Sequence, residues 1–550
     1  MRSLEDYDIS PITGFLPVEP PLRRLPDPYF APWEEMMENF NGLLLAGKFR
    51  EKVLQMPLLD HTRLTTTAEY RRAFVIFCFL SHSYVWGKLE KTSETLPATL
   101  AVPWTGISNY LGLCPVVCHA AVDLWNYRLL DADGPIDLSN LAALTTYSGS
   151  LDEAWFYLIT TAIESAGACC LPAILSVIEH INDCNYDGIK SNLETMYGAL
   201  VKMNEILQRM YEKCDPYVFY WKIRPYLAGW ENMAEAGLPF GLVYEGVDHL
   251  WSAETDEYAD MSHLTEGQRI LRQYRRYAGG SAAQSSLIAA LDVAFGVEHY
   301  PTGEKPSVMK LDNPLPKDRY TRLPSAVPTD DSSSDGSRTP QPPFTRTNRN
   351  AFLRAMRKYM PRPHREFLED LESGSNIRPF MLHLREKMQA EDITAEELNV
   401  IELYNNCIHQ LKLFRDKHVQ IVSLYIVNQA RKGPNIPHGG FAIDKKKEEQ
   451  PAAEAKDEKT QNVLYPQTAL ETSPGIREGS VSAKVSHLFP ELGLAKHVDP
   501  KTGVVRGTGG TNVMPFLKQS RDETADMKIA LESPATAPSN KTWSDWIMRR

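Results

Sequence analysis

One histidine is set apart by the residues around it. Between 395 and 430, Ile401, Tyr404, Ile408, Leu411, Phe414, His418, Ile421, Val422 and Tyr425 recur at three- and four-residue steps. That spacing predicts a long helix with a single apolar stripe facing a core. His418 lies in the stripe, with Arg415 one turn before it. An imidazole in such a seam can ligate a metal or a haem iron, and it can equally be a core histidine satisfied by a local hydrogen bond. No histidine follows at i+4 and no carboxylate stands at ligand spacing, which weakens a multi-ligand zinc site and leaves single axial ligation open.

Three other stretches carry possible chemistry. In RRYAGGSAAQSSLIAALDVAFG, Gly279 and Gly280 precede small and hydroxyl residues and then an amphipathic run, which describes a loop entering a helix N-terminus. Backbone N–H groups there can hold a carboxylate or propionate, or serve only as a cap. Asp292 interrupts the apolar run, and a buried carboxylate needs a cation, for which Arg415 is the candidate. DPYVFYWKIRPYLAGW sets six aromatics around Arg224, a surround suited to a carboxylate on a flat apolar body, although an arginine snorkelling at the edge of a core fits as well. Pro225 is expected to kink or start a helix there. RGTGGTNVMPFLK lacks the Lys-Ser/Thr ending of a phosphate loop and the GxGxxG order of a dinucleotide fold. It reads as a mobile loop closing over a pocket, or as a simple turn.

The elements that must position these residues are helical. Runs 154–181 and 285–297 share the helical period, and alternating strand-like runs are scarce. The 550 residues carry 43% hydrophobic side chains, enough for a large core, and a net charge of −11, which argues against a protein that coats nucleic acid. The start, MRSLEDYDISPITG, lacks the basic and apolar order of a signal peptide. Ala73–Trp86, the most apolar stretch, is shorter than a membrane span, so no membrane segment and a cytoplasmic protein are expected. The eight cysteines form no CxxC pair and read as reduced thiols, mostly in the core. Residues 303–348 and 432–505 are polar, rich in Pro, Ser and charge, and are expected to be disordered insertions, with a short helix at 485–494 as an option.

The ordered set RPYLAGW, GLVYEGV, AGGSAAQSS with LDVAFG, MRKYMPRPHREFL, FRDKHVQIVSLYI and GTGGTNVMPFLK resembles the indoleamine 2,3-dioxygenase family, and a fungal member of it in particular. The upstream segments LEKTSETLPATLAVPW and DEAWFYLIT fit too. The resemblance implies a mainly α fold, with a small N-terminal helical domain (1–147) packed on a larger all-helical haem-binding domain (148–431 and 506–550). It implies haem b as cofactor, ferrous for activity, with O2 and L-tryptophan or a related indole as partners, and a monomer. The implied reaction inserts O2 across the indole C2=C3 bond to give N-formylkynurenine, the first step of the kynurenine route toward NAD; a substituted indole, or a sensor with little turnover, are the alternatives.

By the same resemblance His418 would be the proximal iron ligand, steadied by the Arg415–Asp292 pair. Phe156 and Phe219 would pack on the indole, and Arg224 would bind the substrate carboxylate. Gly280, Ser281 and Ala282 would line the pocket near the haem propionates, with Ser281 also near substrate, and Thr508 would approach the amino acid end. Two positions depart from the family pattern. Thr160, expected at the catalytic centre, stands where serine is frequent, and His119 stands where tyrosine is common, just after Cys118. Both are expected to face substrate, where a titratable imidazole would alter pH dependence or select a substituted indole.

Overall fold

The computed structural model describes residues 2–87, 91–247, 265, 273–300, 302, 351–432, 508 and 513–531. The two expected insertions and the optional helix at 485–494 lie outside them, apart from Lys432, which ends a short helix, Asn428–Lys432. The helices of ten residues or more among the described residues are α1 (Thr67–Val85), α2 (Ala98–Leu111), α3 (Leu151–Gly167), α4 (Cys170–Asn182), α5 (Tyr186–Gln208), α6 (Ser286–Phe295), α7 (Arg362–Gly374), α8 (Ile377–Gln389), α9 (Ala395–Val422) and α10 (Val513–Ala525). The mainly α reading therefore holds. Strands β1 (Thr95–Leu96), β4 (Leu242–Tyr244) and β5 (Tyr274–Arg275) form one small sheet, β1 parallel and β5 antiparallel to β4. Strands β2 (Tyr127–Leu129) and β3 (Leu141–Ala143) form an antiparallel pair.

Local chemistry sets the helix boundaries. Ser150 caps α3 by accepting from Glu153 N, and Asp152 and Glu153 place negative charge at the positive end of the helix. The expected single helix over 154–181 is instead two, broken at Ala168 and Cys169. Pro172 explains the break: with no N–H, and a ring that would collide with the carbonyl four residues earlier, it fits only in the first turn of α4. Residues 151–182 together are the one stretch among those described that is long and apolar enough to cross a membrane, longer than the 73–86 stretch that composition singles out. Most of its apolar window is buried inside the protein. At the start of α9, Thr394 and Glu397 form a reciprocal capping box.

The main hydrophobic core among the described residues runs from Leu4 to Ile529, and N-terminal residues pack directly against helices far along the chain. Tyr7 Oη donates to Asp370 Oδ2 at 2.6 Å, joining the N-terminal segment to α7. His82, in the last turn of α1, bonds Tyr226 O through Nδ1 (2.8 Å) and accepts from Val117 N at Nε2 (2.9 Å). Burial pushes this ring down to about 3, consistent with a neutral strut. Helix α9 lies along α5, pinned by Asn204 Nδ2 to Gln410 O (2.9 Å) and Lys417 Nζ to Asn204 O (3.0 Å). All eight cysteines are free, six of them buried.

Candidate haem and substrate site

The apolar stripe of α9 is buried at Ile401, Tyr404, Ile408, Leu411, Ile421 and Val422, and Tyr425 beyond it is buried as well. It opens only at Phe414 and His418, which are half-buried and, four residues apart, share one face. The His418 ring makes no hydrogen bond to any described residue. Burial, and then the Arg415 charge, push it down to about 4, so it is neutral with a lone pair to offer at ordinary pH. A half-open, neutral imidazole without a hydrogen-bond partner among the described residues is the donor that an axial haem ligand requires.

Behind the imidazole, Arg415 Nη2 donates to both oxygens of Asp292 on α6, at 2.8 and 2.7 Å. The pair suggested by charge bookkeeping on the sequence is thus in contact across a sequence separation of 123 residues. Asp292 also meets His299 Nε2 at 3.1 Å, and Arg415 Nη1 donates to Thr524 Oγ1 on α10 at 2.7 Å. Burial alone would raise the Asp292 carboxyl, but Arg415 and His299 together hold it below the usual range.

A second opening lies on α3. Trp155, Tyr157, Ile159 and Thr161 are buried, whereas Phe156 and Thr160, again four apart, are half-buried. Phe156 meets Phe219 with ring centroids 4.7 Å apart, and Phe219 meets Tyr425 at 5.8 Å. Phe219 and Tyr425 belong to two π-helical turns, Phe219–Ile223 and Ser423–Val427, the second continuing directly from α9. An aromatic chain therefore links the opening on α3 to the end of the His418 helix. Thr160 Oγ1 donates only a long bond, 3.4 Å, to Phe156 O. Arg224 is buried, its guanidinium 5.1 Å from the Tyr220 ring centroid, and Pro225 follows it inside a short 3-10 turn, Arg224–Leu227.

The AGGS loop is held from both sides. Gly280 N donates to Leu227 O (3.0 Å), which ties it to the Arg224 turn. Gly279 N donates to Thr508 O (3.1 Å), and Thr508 Oγ1 donates to Gly280 O (2.5 Å), so Thr508 sits on this loop. Gly279 is required here, because a Cβ would fall 2.1 Å from Leu227 O. At Gly280 an added Cβ would meet only Val117 Cγ1 at 3.9 Å, so its backbone borders open volume. Ser281 spends its hydroxyl capping the turn Ala282–Gln284, of which Ala282 is exposed, and Ser285 then caps α6. A loop leading into a capped helix is what the sequence describes. The open backbone at Gly280 and a neutral His418 with no hydrogen-bond partner among the described residues fit a haem, which His418 would hold through its imidazole and Gly280 to Ala282 would border.

His119 requires a correction. It was expected to face substrate as a titratable group, but it is only 3% exposed and both ring nitrogens are engaged, Nδ1 with Asp123 Oδ2 at 2.8 Å and Nε2 with Glu164 Oε1 at 2.9 Å. Burial would lower the ring, yet the two carboxylates outweigh it and raise it to about 10. His119 is therefore a buried imidazolium that joins the turn Ala120–Leu124 to α3, and it does not titrate between pH 5 and 8. Glu164 also accepts from Ser285 Oγ at 2.6 Å, and His119 N donates to Gln284 Oε1 at 3.0 Å. The network thus braces the AGGS loop against the helix that carries Thr160. Cys118 is likewise buried.

The residues missed at the sequence level are Glu164, His299, Glu523 and Thr524. Asp123, four residues after His119, is a readable helical-spacing signal for one arm of that bridge. Nothing local announces Glu164, 45 residues away, or Glu523, 224 residues from His299.

Comparison with known proteins agrees with this architecture. The family model described as indoleamine 2,3-dioxygenase matches residues 3–527. The chain is 32% identical to an indoleamine 2,3-dioxygenase of Saccharomyces cerevisiae over 96% of its own length and 94% of the relative's. It is 29% identical to one of Aspergillus nanangensis, covering 95% and 96% of the two chains. A 6-hydroxytryptophan 2,3-dioxygenase of Fusarium equiseti is 29% identical over 78% of this chain and 86% of its own. The chain belongs to the indoleamine 2,3-dioxygenase family and is a haem-dependent dioxygenase acting on tryptophan or a related indole.

Proposed function

We propose that the protein converts L-tryptophan to N-formylkynurenine, with His418 as the proximal ligand. The observation that carries this reading is the opening of the α9 stripe at a neutral His418, without a hydrogen-bond partner among the described residues and backed by the part-buried Arg415–Asp292 pair. The haem, when bound and ferrous, supplies the activation of O2. The chain's own part is positional. Phe156 and Phe219 present aromatic faces to a flat ring, and Arg224 offers a planar fork to a carboxylate once a ligand draws it from Tyr220. Thr508 closes against Gly280 and shields the amino acid end from water. Thr160 stands one turn from Phe156 on the same face of α3. Its hydroxyl is committed only to a long bond, and so it can turn toward a bound ligand. Both oxygen atoms of O2 enter the product, so each turnover consumes no external reductant.

A substituted tryptophan is the second reading, favoured by the relative named for 6-hydroxytryptophan. Purified haem-loaded protein, reduced and mixed under 18O2 with L-tryptophan or with 6-hydroxytryptophan, decides between them. The proposal expects an N-formylkynurenine with two labelled oxygens from tryptophan. Product from 6-hydroxytryptophan alone would move the assignment to the second reading, and no doubly labelled product from either would reject both.

A further inference from the structure

Four buried groups behind His418 form a closed chain of contacts that reaches the far end of α10. Asp292, held by Arg415, also meets His299 Nε2 at 3.1 Å. His299 Nδ1 lies 2.6 Å from Glu523 Oε2, and Glu523 Oε1 accepts from Tyr300 N at 3.0 Å and Gln519 Nε2 at 2.8 Å. Thr524 Oγ1, next to Glu523, accepts from Arg415 Nη1 at 2.7 Å and donates to Ser520 O at 2.9 Å. Asp292, His299, Glu523 and Thr524 are all less than a tenth exposed. Two carboxylates face one guanidinium and one imidazole, and the cluster is neutral only with His299 protonated, the direction in which Asp292 and Glu523 drive that ring against its burial.

We propose that His299, Glu523 and Thr524 are positioning residues for the iron ligand: through Asp292 and Arg415 they fix the height and rotation of α9 at His418. This rests on the reading of His418 as the proximal ligand. A metal-bound histidine is usually aimed by a hydrogen bond from its second ring nitrogen. Among the described residues His418 has none, so its aim depends on where α9 stands. Arg415, three residues earlier on the same side of the helix, is a point at which α9 is gripped, in addition to the Lys417 contact with Asn204 on α5. The grip is shared by α6 through Asp292 and by α10 through Thr524, while His299 and Glu523 cross-link those two helices. Helix α10 begins shortly after Thr508, which bonds Gly279 and Gly280, and its last turn carries Glu523 and Thr524. Thr508 on the substrate-side loop and α10 on the proximal side are thus close in sequence.

The test uses the full-length haem-loaded protein in the ferrous state and two readouts other than turnover. These are the rate of haem transfer to excess apomyoglobin and the iron–histidine stretching band in resonance Raman spectra. Glu523→Gln and Thr524→Val are expected to release haem on the order of tenfold faster, with the band shifted or broadened. Thr524→Ser, which keeps the hydroxyl, should restore both readouts. Adding Glu523→Gln to Asp292→Asn should accelerate release less than about twofold beyond Asp292→Asn alone, because the two act along one chain. Wild-type release and an unchanged band in both Glu523→Gln and Thr524→Val would overturn the proposal, as would multiplicative effects in the double variant or a Thr524→Ser as defective as the valine. His418→Ala separates the two levels. If it keeps the histidine band, the ligand assignment itself is wrong; if it loses the band while the α10 variants match wild type, only the positioning role falls.

Discussion

Replacing His119 by glutamine tests whether the imidazolium between Asp123 and Glu164 is structural. The ring makes buried contacts of 2.8 and 2.9 Å, and the rise from the usual 6.5 to about 10 corresponds to about 5 kcal/mol of preference for the charged form. Removing one member of a buried charge pair costs about 3–5 kcal/mol by comparison with other proteins. His119→Gln should therefore lower the unfolding free energy of the haem-free chain by about 3–5 kcal/mol at pH 7. The pH dependence has a definite sign. A group whose folded value is raised contributes fully below its unfolded value, here 6.5, and loses that contribution as pH climbs through about 10. The wild-type advantage should shrink toward pH 10, because the wild type then gives up the same proton. Denaturant unfolding of both proteins at pH 7, 8, 9 and 10 measures this. A gap below about 1 kcal/mol at pH 7, or one that stays constant to pH 10, would refute the reasoning.

Three further outcomes follow from the same geometry. Arg224→Lys, which keeps charge but loses the planar fork, should raise the tryptophan KM on the order of tenfold or more while changing kcat far less; steady-state kinetics with an equal fall in both would contradict carboxylate binding. Thr160→Val should keep turnover within about tenfold of wild type, since the Thr160 hydroxyl is held only by the long bond to Phe156 O; a loss of a thousandfold in single-turnover experiments would give that hydroxyl an essential chemical part. Gly279→Ala should destabilise the haem-free chain strongly, its Cβ falling 2.1 Å from Leu227 O, whereas Gly280→Ala should leave haem-free stability nearly unchanged; thermal midpoints in the opposite order would reverse the reading of that loop.

The long elements and the polar punctuation were legible in the sequence because their causes are local. The three- and four-residue recurrence through Tyr425 marks α9, Ser285 marks the start of α6, and a buried Asp292 demands the cation that Arg415 supplies. The break between α3 and α4 was equally local, written in Pro172, but the apolar period runs across it and masks it. Strands of two or three residues, such as β1 and β5, are too short for any alternation to register. The π-helical turns leave no trace of their own either: Tyr425 simply continues the α-helical recurrence, and nothing in the period shows that the turn around it widens. His119 was misread because its chemistry depends on Glu164, a partner fixed by packing and not by spacing, and an imidazole looks the same in sequence whether it faces a ligand or is locked between two carboxylates. The bridge from His299 to Glu523 spans 224 residues, and only the fold brings its ends together.

The central claim is that one imidazole, His418, holds the iron. His418→Gly leaves a cavity where that ring stood and can be loaded with haem in the presence or absence of free imidazole. The account predicts that the ferrous, histidine-type Soret spectrum is lost in the glycine variant and returns when imidazole is added. A histidine-type spectrum in His418→Gly without added imidazole would contradict it.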